Sequence, residues 1–314
     1  MNAALLRGRA GWLVPLLVAA FVIAVPLSGS RLWLYNMLIV SIFATATIGL
    51  NIVTGRAGQV SFAQTSFMAV GGYGLALFTT RLHWNPWLSM IVAAIIAAGI
   101  ALLVGVPLLR LRGHYLAMGT FALALGTTSF ADAATGLTNG AIGISAVPPL
   151  TLGGFTSLDQ TYAYILCWLV CGLALLVFAA TQSSYVGRAW RALAVREDVA
   201  ASLGVNLHGY KTLAFVLAAV LAAVAGSLYV AVTSFVGPDL YDAGTAINMF
   251  VILFIGGRGA LLGPVLGSVV VILGPQVFSG IADWQNAIFL LILLLVIMFV
   301  PNGLLGVRLR WAAA

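Results

Sequence analysis

Apolar runs of membrane-crossing length follow one another along almost the whole chain, and this succession leaves one solvent in which it can fold. A run of roughly 17 to 25 apolar residues is what a helix needs to cross a bilayer. The chain offers such runs near 11–28, 34–53, 60–80, 86–107, 115–131, 160–180, 212–233, 244–257, 260–278 and 285–301. The third is rich in glycine and polar residues, and the eighth is short. With 62% hydrophobic and 7% charged residues, no soluble interior could hold them all. The runs are continuous rather than alternating, which argues against a membrane β-barrel. The expected fold is therefore an all-α polytopic membrane protein of about ten helices, with residues 1–314 forming one transmembrane domain.

Charge orients these helices, because Lys and Arg near span ends stay on the cytoplasmic side. With the N-terminus inside, Arg7, Arg9, Arg56, Arg110, Arg112, Arg188, Arg191, Arg196, Lys211, Arg258, Arg308 and Arg310 all fall in the cytoplasm. Only Arg31 and Arg81 fall outside. One span more or fewer would scramble that separation, so the bias argues for an even count with both termini cytoplasmic. The net charge of +7 is this topology signal together with attraction to anionic lipid, and calls for no nucleic acid. Arg7, Arg9, the first apolar run and Ser28-Gly29-Ser30 also resemble a signal peptide, whose cleavage would leave the remaining topology unchanged.

Chemistry-bearing residues are sparse. Cys167 and Cys171 lie one helical turn apart inside a span, where cysteine behaves as a small hydrophobe. His83, His114 and His208 fall in three separate junctions, so sequence neighbours assemble no metal site, and no cofactor is called for. No nucleophile elbow, no His-Glu-x-x-His and no intramembrane carboxylate pair is present, which argues against an enzyme. The seven acids, Asp132, Asp159, Glu197, Asp198, Asp239, Asp242 and Asp283, all map to loops or span ends. Ion-driven carriers commonly keep an ionisable group in the membrane interior, so that class loses weight, although backbone carbonyls at broken helices can also hold sodium.

The polar exception is the cytoplasmic loop 182–211, far longer than an ordinary connection. Its segment Arg188 to Ala201 is rich in Ala, Leu, Arg and Glu and is expected to be helical, with Gly204 as a stop. Gly204 to Thr212 nearly spells a phosphate-binding loop, but Tyr210 separates Gly209 from Lys211 and no buried strand precedes it. If ATP drives this protein, another subunit must hydrolyse it. A solvated loop serving only topology is the plainer reading of the same charges.

The order of residues in that loop carries a resemblance. Asp198-Val199-Ala200-Ala201-Ser202-Leu203-Gly204 resembles the Glu-Ala-Ala-x-x-x-Gly element of bacterial ABC importer membrane subunits, with Asp in place of Glu and Val in place of the first Ala. Gly49 to Phe62, reading Gly-Leu-Asn-Ile-Val-Thr-Gly-Arg-Ala-Gly-Gln-Val-Ser-Phe, is similar to the signature of branched-chain amino-acid ABC permeases. So are Ile255-Gly256-Gly257-Arg258-Gly259 with Gly263-Pro264, the turn Leu109 to Ala117, and Thr138-Asn139-Gly140 with Gly143-Ile144. Matching segments run from about 35 to 305, and the chain resembles the second of the two permeases in such importers, a relative of the ribose and galactoside permeases with a type II-like architecture.

The resemblance implies partners: two ABC ATPase subunits, a second homologous permease forming a heterodimer, and a periplasmic binding protein, in the bacterial cytoplasmic (inner) membrane. It implies an ATPase-coupling role for Arg196, Glu197, Asp198, Ala200, Ala201 and Gly204. The external loop 132–160, with Val236 to Asp242, would receive the binding protein through Asn139, Gly140, Gly143, Asp239 and Asp242; a flexible spacer would look much the same. The close rival is a permease for urea or short amides, and the remoter ones are an ion-coupled carrier or channel and a lipid-modifying enzyme.

Glycine in a membrane helix permits close backbone approach or a break. Gly55, Gly58, Gly71 and Gly72, with Gly256, Gly257, Gly259 and Gly263, are therefore expected breaks or close contacts. Gly55 to Gly74 is the expected re-entrant or broken helix, and Gly256 to Gly267 its counterpart in a weak parallel repeat. Asn51, Gln59, Ser61, Gln64 and Asn248 are candidate path residues, with Thr65 and Ser66 nearby. Interhelical hydrogen bonding is the competing role for each of them.

Overall fold

The computed structural model describes residues 30–111, 113–152, 155–202, 204–277 and 303. The expected first and last spans, 11–28 and 285–301, lie outside the described residues.

Helix α1 (Arg31–Leu50) runs on into a π-helical turn (Asn51–Arg56), and together they make one apolar helix of 26 residues. It is hydrophobic all round and buried nearly all round from Met37 to Val53, as a central helix must be. Around it pack α6 (Gln160–Ser183), α9 (Leu207–Thr233), α10 (Ala243–Gly256) and α11 (Gly263–Val277). Helices α2 (Gln64–Thr80) and α3 (Pro86–Leu108) close the other side of α9, and α4 (His114–Ala133) lies against α2 and α10.

Helix α3 shows how the bilayer inverts ordinary patterning. Pro86 opens it and the Asn85 side chain caps it, accepting from Trp87 N–H at 2.9 Å. Its buried stripe is made of small residues every fourth position, Ser89, Ala93, Ala97, Ala101 and Gly105, while Ile91, Ile95, Leu102 and Leu103 point outward. Lipid tails are as apolar as Leu, so small residues go where backbones must approach and large ones face the hydrocarbon.

Among the described residues, four helices, 31–56, 86–108, 160–183 and 207–233, are long and apolar enough to cross a membrane. The runs expected at 60–80, 115–131, 244–257 and 260–278 are helices as well, of 17, 20, 14 and 15 residues.

Two local expectations need correction. The helix foreseen over 188–201 is split at Arg196, whose extended backbone separates α7 (Tyr185–Val195) from α8 (Glu197–Ser202). The split turns Glu197 toward Lys211 Nζ, 2.6 Å away, and buries Ala200. The break foreseen over Gly55 to Gly74 is confined to residues 57–63; Gly71 and Gly72 sit inside the continuous helix α2. There they serve close packing, Gly71 against the Ala223 backbone and Gly72 against the Tyr241 ring.

A short helix α5 (Thr135–Thr138) leads to strand β1 (Ile144–Ser145), which pairs antiparallel with β4 (Phe235–Val236), Ile144 opposite Val236. A hairpin of β2 (Thr151–Leu152) and β3 (Phe155–Thr156) precedes α6.

Candidate functional site

The glycine-rich segments after α1 and α10 meet at one end of the molecule. Asn51 Nδ2 donates to Ala260 O at 2.9 Å, and Gly259 N–H donates to Asn51 Oδ1 at 2.7 Å. One amide thus satisfies a donor and an acceptor of the turn between α10 and α11. Gly55 makes room for this clasp, since a Cβ there would strike the Asn51 amide and the Gly259 nitrogen. Gly259 holds φ at +73°, a conformation natural to glycine and costly for residues with a Cβ. Arg56, in the same π-helical turn, donates from Nη2 to Gly259 O and to Gln182 Oε1, the latter at 2.7 Å. Gln182 lies in the last turn of α6, at the start of the 182–211 loop.

The loop itself is anchored through its inner face. Trp190 is buried and its Nε1–H donates to Tyr210 O at 2.8 Å; Leu193 and Ala200 are buried beside it. Gly58 lies against Ala194 of α7 so closely that a Cβ would crowd its Cα. Gly204, at φ +78°, closes α8: its N–H reaches Ala201 O at 3.0 Å and Val205 N–H reaches Ala200 O at 3.1 Å. The outer face carries Arg196, Asp198, Val199, Ala201 and Gly204, all exposed. Val195, 81% exposed, and Val199 flank a shallow groove lined also by Ala192, Arg196 and Ala200. Exposed Tyr185 stacks under the Arg188 guanidinium, 4.1 Å from the ring centroid. Of the six residues assigned to coupling, Ala200 is thus a packing residue and Glu197 a half-exposed partner of Lys211, while the other four face outward.

The candidate path residues separate in the same way. Gln64 Nε2 donates to Ala46 O at 2.6 Å and to Ala218 O at 3.1 Å, tying α2 to α1 and α9. Asn51 and Gln64 are both buried and work as bridges between segments. Gln59 and Ser61 are buried too, and the Gln59 amide has no partner among the described residues. Asn248 alone of the five is exposed, on the outer face of α10. Helix α4, which packs against α10, exposes Gly126 and Ser129 together with Tyr115, Met118, Leu125 and Phe130.

At the other end the ladder of β1 and β4 joins the 132–160 loop to the 235–242 segment, and Thr128 Oγ1 donates to Tyr241 O at 2.9 Å. Gly143 approaches the Val236 carbonyl too closely for a side chain. Asn139 is left-handed at φ +62°, and Gly140 N–H bonds the Thr138 hydroxyl. Asp132, Asp159, Asp239 and Asp242 are all exposed, and Asp242 caps α10 by accepting from Thr245 N–H at 2.7 Å. The basic clasp thus lies at one end and these four acids at the other.

The branched-chain amino acid transport system / permease component family matches residues 32–301. The chain belongs to this family. It is a multi-pass permease subunit of the inner membrane, not an enzyme, in a transport system whose named relatives comprise two kinds of permease. The high-affinity branched-chain amino acid transport system permease protein LivM of Escherichia coli K12 is 27% identical over 94% of this chain and 74% of its own length. The corresponding protein LivH of the same strain is 26% identical over 85% of this chain and 92% of its own. BraD of Pseudomonas aeruginosa, with the same described role, is 30% identical over 51% of this chain and 55% of its own. No solved structure shows a significant match.

The clasp is not legible in the sequence, because nothing local pairs Asn51 or Arg56 with Gly259, although both belong to the Gly49 to Phe62 signature. The signal available was the repeated Gly-Arg of Gly55-Arg56 and Gly257-Arg258. Gln182 carried no signal.

Proposed function

We propose that this permease is one of two paired membrane subunits of an ATP-driven importer for branched-chain or other hydrophobic amino acids, delivered by a periplasmic binding protein. It would cross the membrane about ten times in a type II-like arrangement with both termini cytoplasmic. The names of the relatives support the substrate class, and their division into two kinds supports pairing with a second, different permease. One observation carries the ATP-coupled reading: α8 turns Asp198, Val199 and Ala201 outward from a base pinned by Trp190 and Lys211, at the basic end of the molecule. A rigid base with a free small-residue face suits a helix that seats in an ATPase groove. Nucleotide can bias the permease only if its states differ in their contacts to such an element. The exposed side of α10 that carries Asn248 is the proposed path or partner side, and the surface of Asn139, Gly140, Gly143, Asp239 and Asp242 the proposed docking platform.

Asp198→Arg and Val199→Arg test this assignment. Both side chains are exposed, so the variants are expected to accumulate at wild-type level. ATPase subunits that copurify with the wild type should be retained at least about tenfold less, and uptake should fall in step. Unaltered association with intact uptake would remove the coupling role from α8.

A further inference from the structure

Arg56 occupies an unusual place in this fold. It closes the π-helical turn after α1, and π turns concentrate at functional positions. One nitrogen of its guanidinium serves Gln182, where α6 hands over to α7, and also the carbonyl of Gly259 in the turn between α10 and α11. Its Nε and the Gln182 Nε2 are buried with no partner among the described residues, so the bonds that both side chains do make set their positions. The guanidinium also lies 5.8 Å from the centroid of the Phe178 ring, one turn earlier on α6. The Asn51 clasp joins only the π turn and the Gly259 turn. Arg56 adds Gln182, at the start of the 182–211 loop, to the same junction.

We infer that Arg56 is the transmission link of the permease, carrying displacement of the α7–α8 segment, through Gln182, to the glycine turns at the inner ends of α1 and α10. This rests on the proposed coupling role of that segment and names the residue that passes the movement on. Two features suit it to the task. Both acceptors sit on Nη2, whose two N–H groups are fixed in the guanidinium plane, whereas a lysine ammonium turns freely on a flexible stem. The element it pulls on is a glycine turn, with Gly257 at φ +109° and Gly259 at φ +73°, able to change backbone conformation with little steric resistance. Arg56 is a positioning residue, with no contact to substrate required.

The test uses the complete transporter in proteoliposomes, with its ATPases, partner permease and binding protein, and reads ATP hydrolysed and labelled leucine accumulated in the same vesicles. Arg56→Ala and Gln182→Leu complexes are expected to assemble and hydrolyse ATP, while leucine carried per ATP falls at least about fivefold, the lower end of typical coupling between sites. Arg56→Lys, which keeps the charge and the donors but not the guanidinium's fixed plane, should recover part of that ratio. Gln182→Leu leaves Arg56 bonded to Gly259 and so keeps the test open if Arg56→Ala does not fold. An unchanged ratio in Gln182→Leu, or hydrolysis and uptake falling in proportion in both variants, overturns the link. Failure of the wild-type chain to bind ATPases at all would instead strike the coupling role of α8.

Discussion

Gly226→Leu is expected to abolish accumulation of the permease in the membrane. Gly226 lies on α9 where α2 crosses it, and any Cβ there would run into the carbonyl of Met68. The contact is reciprocal, because a Cβ at Gly71 of α2 would run into the carbonyl of Ala223 on α9. Between them Ser227 Oγ donates to Gly71 O at 2.9 Å, a bond that forms only at this separation. Extra methylenes in a packed core already cost about 1–3 kcal/mol when side chains can shift. Here the obstacle is backbone on both sides, so the helices must part and lose the van der Waals contact that holds membrane helices together. Gly99→Ala, on the outer side of α3 with nothing near its missing Cβ, is the control and should leave stability within about 0.5 kcal/mol. Membrane level and thermal midpoint in detergent report both. A Gly226→Leu protein with wild-type level and midpoint would mean that the α2–α9 crossing is looser than described.

The second large effect is expected at Asn51. Leucine there would leave the Gly259 N–H and the Ala260 carbonyl without their partner and place a branched side chain against Gly55. An unsatisfied buried polar group costs about 1–3 kcal/mol, so losing both ends of the clasp should remove several kcal/mol and free the turn between α10 and α11. A cysteine introduced at Leu261, 40% exposed in that turn, gives a direct readout, because Cys167 and Cys171 are fully buried and should stay silent. Its labelling by a membrane-impermeant thiol reagent added from the cytoplasmic side should speed up several-fold in Asn51→Leu, and uptake should be lost. Unchanged labelling would indicate that the turn is held by other contacts.

What the residues announced, and what they concealed, follows from the range of each interaction. The helices were legible because hydropathy along 34–53, 86–107, 160–180 and 212–233 is a property of contiguous sequence. Gly204 was legible as a stop because a left-handed helix end is a local need, and φ +78° meets it. The split at Arg196 was not, since it depends on Glu197 finding Lys211 and on Trp190 finding the Tyr210 carbonyl, partners set by tertiary folding. The polar residues of the glycine-rich signature were recognised, but not which of path or packing they served. Asn51 and Gln64 bond to segments about 150 to 210 residues away, and no local pattern encodes such a partner.

The central claim is that this permease moves an amino acid at the expense of ATP hydrolysed by other subunits. Labelled leucine uptake into proteoliposomes containing the chain, its partner permease and the ATPases, with binding protein and ATP each present or withheld, measures it most directly. The account predicts accumulation that requires both and is unaffected by collapsing sodium and proton gradients. Uptake that proceeds without ATP and stops when an ion gradient is collapsed would contradict it.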